Sequence, residues 1–230
     1  MNISLKRIVD CVPSLAMNLA LVVTLSLTLS LIMINPTFAN TLDETIHSLQ
    51  KEWAIANYKT TDSDLESAFE KLTIKAQDAV NLFPDKAEPL IWNAIIVSSD
   101  AGKNGGFGAL GKVKEARDLL LKAKEINPEA LNGSVYTSLG SLYYQVPGWP
   151  LGFGDDEQAE EYLKKALAIN PDGIDPNYFY GDFLLEDGQY KEAKTYFDKA
   201  LNAPARKDRP LADEGRRGEI AAKLKIIARY

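Results

Sequence analysis

Apolar residues recur at three- and four-residue intervals along most of the chain, the spacing that lays a stripe down one face of an α-helix. Ile46, Leu49, Trp53 and Ala56 form one such stripe, and Leu65, Phe69, Leu72 and Ala76 form another after the turn-forming residues 60–64. Ala116, Leu120 and Ala123 make a third, ended by Asn127-Pro128, and Ala159, Leu163 and Ala166 repeat it before Asn170-Pro171. Proline has no N–H to donate and clashes with the preceding turn, so each Asn-Pro reads as a helix stop. The pattern predicts an all-α chain.

Aligned on itself, the chain repeats. Residues 176–204 carry Tyr180-Gly181 and Leu184, then Ala193, Phe197 and Ala200, with Pro204 at the end. The copy before has Tyr136, Leu139-Gly140 and Tyr143, then Ala159, Leu163, Ala166 and Pro171. Leu90, Ala94 and Val97 followed by Ala116, Leu120, Ala123 and Pro128 form an earlier copy, and Ala79 with Pro84 keeps a trace of one more. This order of small and bulky residues is that of the tetratricopeptide repeat, a helix–turn–helix unit of about 34 residues. Small residues sit where the two helices cross closely, and large ones fill the spaces between. The expected fold is therefore a right-handed helical solenoid over residues 40–205. Residues 206–230 are expected to form a linker and a C-terminal capping helix from about Leu211, whose Ile220, Leu224 and Ile227 cover the last exposed face.

Two insertions depart from the template, both between the first and second helix of a repeat. Between Tyr143 and Ala159 lie 15 residues, about seven more than the repeat takes, and they include Trp149 and Phe153. Between Val97 and Ala116 lie 18, with Gly102, Gly105, Gly106, Gly108 and Gly111 among them. Both loops emerge at the same end of the stack, where repeat proteins often bind. Trp149 and Phe153 can contact a ligand there, or equally tuck into the core behind a long turn. Residues 106–111 also spell a dinucleotide fingerprint and, with Lys112, most of a phosphate-binding loop, but each motif works only between a strand and a helix. Here a helical phase precedes it, and Val113 stands where a magnesium-binding hydroxyl is needed. A plain loop is the expected outcome.

In this architecture the first helix of each pair lines the inner groove. The positions facing inward are Ser134, Thr137, Ser141, Tyr144 and Gln145 in one repeat, and Asp175, Tyr178, Asp182, Leu185 and Glu186 in the next. Thr137, Ser141, Tyr144, Gln145, Tyr178, Asp182 and Glu186, with Trp149 and Phe153, are the candidate partner- or ligand-binding residues. An acidic, hydroxyl-bearing face with tyrosines suits peptides or polar ligands. Any solvated helix face also looks polar, and that alternative stays open.

Composition narrows the chemistry. His47 is the only histidine and Cys11 the only cysteine, so a catalytic triad and a histidine- or thiolate-based metal site are not expected. The run Asp155-Asp156-Glu157 reads as a helix N-cap, where acids complement the macrodipole. No catalytic residue, metal or cofactor is expected, and binding rather than catalysis is the expected role. The net charge of −6 argues against nucleic acid and anionic lipid as partners.

The N-terminus carries an address. Lys6 and Arg7 precede an apolar stretch at 19–34, and Thr37-Phe38-Ala39 supplies a small residue for cleavage. This is the layout of a secretory signal. At 16 residues the stretch approaches the roughly 18 of a membrane span, so residues 1–39 are expected to be a signal peptide or a signal anchor. Either way the rest of the chain is exported, and the membrane is met only through an uncleaved N-terminal segment. Losing residues 1–39 would leave 24 basic and 31 acidic residues, net −7.

Four stretches carry a more specific likeness: Ala130-Leu-Asn-Gly-Ser134, Gly140-Ser-Leu-Tyr-Tyr-Gln-Val-Pro-Gly-Trp-Pro150, Asp172-Gly-Ile-Asp-Pro-Asn-Tyr-Phe-Tyr-Gly181 and Pro204-Ala-Arg-Lys-Asp-Arg-Pro-Leu-Ala-Asp213. They resemble exported tetratricopeptide proteins of Gram-negative bacteria, which are similar in turn to the periplasmic T component of TRAP-type transporters. The resemblance implies a periplasmic location, with inner-membrane anchoring left open by Cys11, and a binding role. The first expectation is an adaptor or scaffold that holds a protein or peptide partner in the groove. The alternative is an accessory small-ligand binder working with a transport system.

Overall fold

The computed structural model describes residues 41–106 and 108–230. The export segment read at residues 1–39 lies outside the described residues. Among the described residues the chain forms nine helices and no strand. They are α1 (Leu42–Tyr58), α2 (Asp62–Leu82), α3 (Ala87–Asn104), α4 (Ala109–Ile126), α5 (Ala130–Gln145), α6 (Asp156–Ile169), α7 (Ile174–Glu186), α8 (Tyr190–Leu201) and α9 (Pro210–Ile227). None of them is long and apolar enough to cross a membrane.

The expected pairing holds. α3 packs on α4, α5 on α6 and α7 on α8 as successive hairpins, with α1 and α2 in front. Every second-helix residue that defined the repeat is in the core: Ala116, Leu120 and Ala123, then Ala159, Leu163 and Ala166, then Ala193, Phe197 and Ala200 are all buried. The glycines do what the crossing requires. A Cβ on Gly140 would lie 2.6 Å from Leu163 Cγ, and one on Gly181 would lie 3.1 Å from the Phe197 ring.

Local chemistry fixes the helix ends. Thr41 and Glu44 form a reciprocal capping box at α1, with bonds of 3.2 and 2.9 Å. Asp155 caps α6 by accepting from the Gln158 N–H at 3.0 Å, as its sequence position suggested. α5 begins differently. Leu131, Asn132 and Gly133 have positive φ (53°, 56° and 74°), so a left-handed turn precedes the regular helix.

The C-terminal helix departs from the simple cap. α9 packs on α8 and α7 at one end of the stack and on α1 at the other. Gly215 makes the second contact possible, since a Cβ there would meet the Tyr58 ring at 2.5 Å. Ile220 and Ile227 are buried in the process and Leu224 packs beside them. The helix thus bridges first and last elements instead of only covering the final pair.

Candidate ligand-binding cavity lined by the first helices

The bridge leaves a space. α1, α3, α5 and α7, together with α9, border a cavity of about 530 Å³. That volume lies within the range of small-molecule sites, about 300–1,000 Å³. α1 and α3 contribute Trp53 and Trp92, whose rings meet edge-on at 5.8 Å between centroids. α5 contributes a stripe of hydroxyls at helical spacing, Ser134, Thr137, Ser138 and Ser141. Several nearby hydroxyls are already engaged. Ser98 and Ser99 donate to the Ile95 carbonyl, Ser99 accepts from Trp53 Nε1 at 2.9 Å, and Ser134 donates to the Leu131 carbonyl.

α7 and α9 bring the charges. The Asp175 carboxylate accepts from Arg206 Nη1 at 2.7 Å and from Arg216 Nε at 3.0 Å. Arg206 also grips Asp213 at 2.6 Å, and Arg216 reaches Glu219 at 2.6 Å. Burial alone would raise the Asp175 carboxyl, but the adjacent Arg216 and Arg206 outweigh it and hold it well below the usual carboxylate range. The Arg216 guanidinium lies 4.3 Å from the Tyr178 ring centre and 4.7 Å from that of Phe179, so it is stacked as well as paired. This network ties α9 to the inner face of α7.

The sequence-predicted residues divide into three groups. Thr137, Ser141 and Gln145 line the cavity. Tyr144, Tyr178 and Asp182 lie beside it in a buried cluster. Tyr144 donates to Asp182 at 3.0 Å and accepts from Gln145 Nε2 at 3.0 Å, and Lys223 of α9 pairs with Asp182 at 2.5 Å. Burial, then the nearby Asp182, pushes the Tyr144 phenol well above its ordinary range. Only 6% of Tyr178 and 3% of Asp182 is exposed. The acidic groove expected to lie open at α7 is therefore corrected, because α9 supplies the cations that cover it. Glu186 is exposed at the end of α7, where partial burial of its carboxyl and the nearby Asp182 raise its pKa.

The loop residues separate from one another. Phe153 packs edge-on against Tyr143 at 5.3 Å, beneath the Arg117 guanidinium at 4.6 Å. Trp149 is 90% exposed, beside Leu151 at 67%. In the glycine-rich stretch, helix α3 leads into the loop and Lys112 pairs with Asp100 at 2.6 Å, so no strand feeds it. Sequence reasoning missed Trp92, Arg209 and Arg216 as cavity residues. A concentration of arginines at 206, 209, 216 and 217, opposite an inner face already read as acidic, was the available signal.

Residues 151–212 match the family profile described as tetratricopeptide repeat. Among solved structures, a thermophilic TPR protein of Thermus thermophilus is similar with a TM-score of 0.52 and 17% identity, over 91% of this chain and 98% of that one. PilF of Pseudomonas aeruginosa matches with a TM-score of 0.32 and 18% identity, over 81% of this chain and 93% of its own. No curated protein matches the sequence. The fold is an all-α tetratricopeptide-type helical solenoid.

Proposed function

We propose that this chain is an exported binding protein that holds a small ligand in the cavity bordered by α1, α3, α5, α7 and α9. One observation carries the reading. α9 packs against α7, where a continuous groove for an extended peptide would otherwise run, and the space left is about 530 Å³. Repeats of this kind generally serve as interaction scaffolds, which favours binding over catalysis. The export layout of residues 1–39 supports a periplasmic setting, and the resemblance to the T component of TRAP-type transporters supports accessory ligand binding beside a transport system.

A second reading has its own support. Trp149 and Leu151 form an exposed apolar tip on the loop between α5 and α6, which suits docking of a protein partner to the outside of the stack. An adaptor would then use this tip instead of the inner face of α7.

Photo-crosslinking separates the two. A photoreactive residue at Ser138, in the cavity, should add small-molecule mass in envelope extracts, and one at Trp149 should not. Protein adducts from position 149, with none of any kind from position 138, would remove the cavity reading and leave the adaptor.

A further inference from the structure

One arginine at the cavity is left over. Among the described residues Arg206, Arg216 and Arg217 all form ion pairs, and they share the carboxylates of Asp175, Asp213 and Glu219. Arg209, immediately before α9, adds a fourth guanidinium to these three carboxylates. It forms no ion pair with a described residue, and its buried Nε has no hydrogen-bond partner. Burial, reinforced by Arg206 and opposed by Asp175, Asp213 and Asp208, pulls its pKa down, as expected for a buried cation that no carboxylate touches.

The surroundings of Arg209 give the ligand a shape. Its guanidinium lies 5.1 Å from the centre of the Trp92 ring, and the Trp92 indole N–H is also buried without a hydrogen-bond partner. Trp53 extends the aromatic wall, and Ser138 and Ser141 face the same space. We infer that the cavity takes a small organic anion with a flat apolar body, its charged oxygens held by Arg209 and its body laid against the partly exposed apolar lining of Ile95, Val113 and Phe179, in front of the buried Trp92 and Trp53. Guanidinium suits this task because its planar fork matches two oxygens at once. Asp175 and Glu219 line the same space and oppose a second negative charge, so a monoanion is favoured over a polyphosphate.

The inference rests on the cavity reading above, and two dyes keep the two apart. 8-Anilinonaphthalene-1-sulfonate has a flat apolar body with one anionic group. N-phenyl-1-naphthylamine is the same body without it. The purified full chain should bind the sulfonate about tenfold more tightly or better, the discrimination that a hydrogen bond to a charged group provides. Arg209→Gln should bring the sulfonate down to the affinity of the amine and leave the amine unchanged. Arg209→Lys, which keeps the charge and loses the fork, should fall between. Arg209→Gln should also melt no lower than the parent, since it removes an uncompensated charge, and Arg209→Lys serves if it does not fold. Ser138→Trp, which fills the cavity, should abolish binding of both dyes. Equal affinities that ignore Arg209 but vanish in Ser138→Trp would overturn the anion inference and spare the cavity. Binding of both dyes that survives Ser138→Trp, or no binding of either, would overturn both.

Discussion

Glycine-to-alanine exchange at two helical positions should have opposite effects, and the structure says why. In a helix interior the exchange ordinarily stabilises by about 1 kcal/mol, because alanine has less backbone freedom to lose. At Gly140 of α5 the new Cβ would stand 2.6 Å from Leu163 Cγ, 2.9 Å from Leu163 Cδ2 and 3.1 Å from the Ala159 carbonyl oxygen. Leu163 is fully buried, and its branch point is not a flexible tip that can swing aside. Overpacking of this kind costs about 1–3 kcal/mol, and contact with backbone as well as side chain puts Gly140→Ala in the upper half. After the gain in propensity, a net loss of about 1–2 kcal/mol remains. At Gly218 of α9 nothing lies within 4 Å of the added methyl, so Gly218→Ala keeps the gain. For a domain of this size each 1 kcal/mol moves the melting temperature by about 2–4 °C. Far-ultraviolet circular dichroism melts should therefore show Gly140→Ala about 2–8 °C below the parent and Gly218→Ala a few degrees above it. A Gly140→Ala protein that melts at or above the parent would refute the close-crossing account of the repeat.

The Asp175 carboxyl titrates below its ordinary 3.8 because of Arg216 and Arg206, so its contribution is complete above the ordinary carboxylate range and is lost as pH falls toward the lowered value. The melting temperature of the parent should drop between about pH 5 and pH 2, whereas Asp175→Asn, already weaker by about 2 kcal/mol at neutral pH, should drop less; equal slopes would exclude Asp175 as the anchor of α9. Trp149→Ala should leave stability within about 0.5 kcal/mol in the same melts, since the ring is 90% exposed; a larger fall would mean that it is packed.

The repeat was legible because its physics is local. Gly140 opposite Leu163, or Gly181 opposite Phe197, is a contact within one hairpin, and the order of small and large residues encodes it directly. The hydroxyl stripe on α5 was legible for the same reason, as a helical period read along one element. The left-handed turn at Leu131 was not, because helical spacing says nothing about sign of φ; only Asn132-Gly133, a turn-forming pair, hints at it. The course of α9 was harder still. Ile220, Leu224 and Ile227 marked an amphipathic helix but could not say which surface would receive it. The decisive partners, Asp175 and Arg216, are 41 residues apart, and Gly215 meets Tyr58 across most of the chain.

Charge ties these observations together. The inner face of α7 is acidic, and an acidic face in a chain of net charge −6 looks like a site awaiting a basic partner. The basic partner is the C-terminal segment of the same chain: Arg206 and Arg216 meet Asp175, and Lys223 meets Asp182. Once those charges are matched, they explain how α9 is held and carry no further information about an outside ligand. Information about a ligand must come from what the matching leaves over, and among the arginines of this segment that is Arg209. A protein of this net charge repels anions at long range, where exposed charges add up and salt screens them. An anion can be retained only at short range, in a recess where one cation acts at low dielectric on a partner already stripped of water. Arg209 beside Trp92, at the edge of the space that α9 borders, meets that requirement.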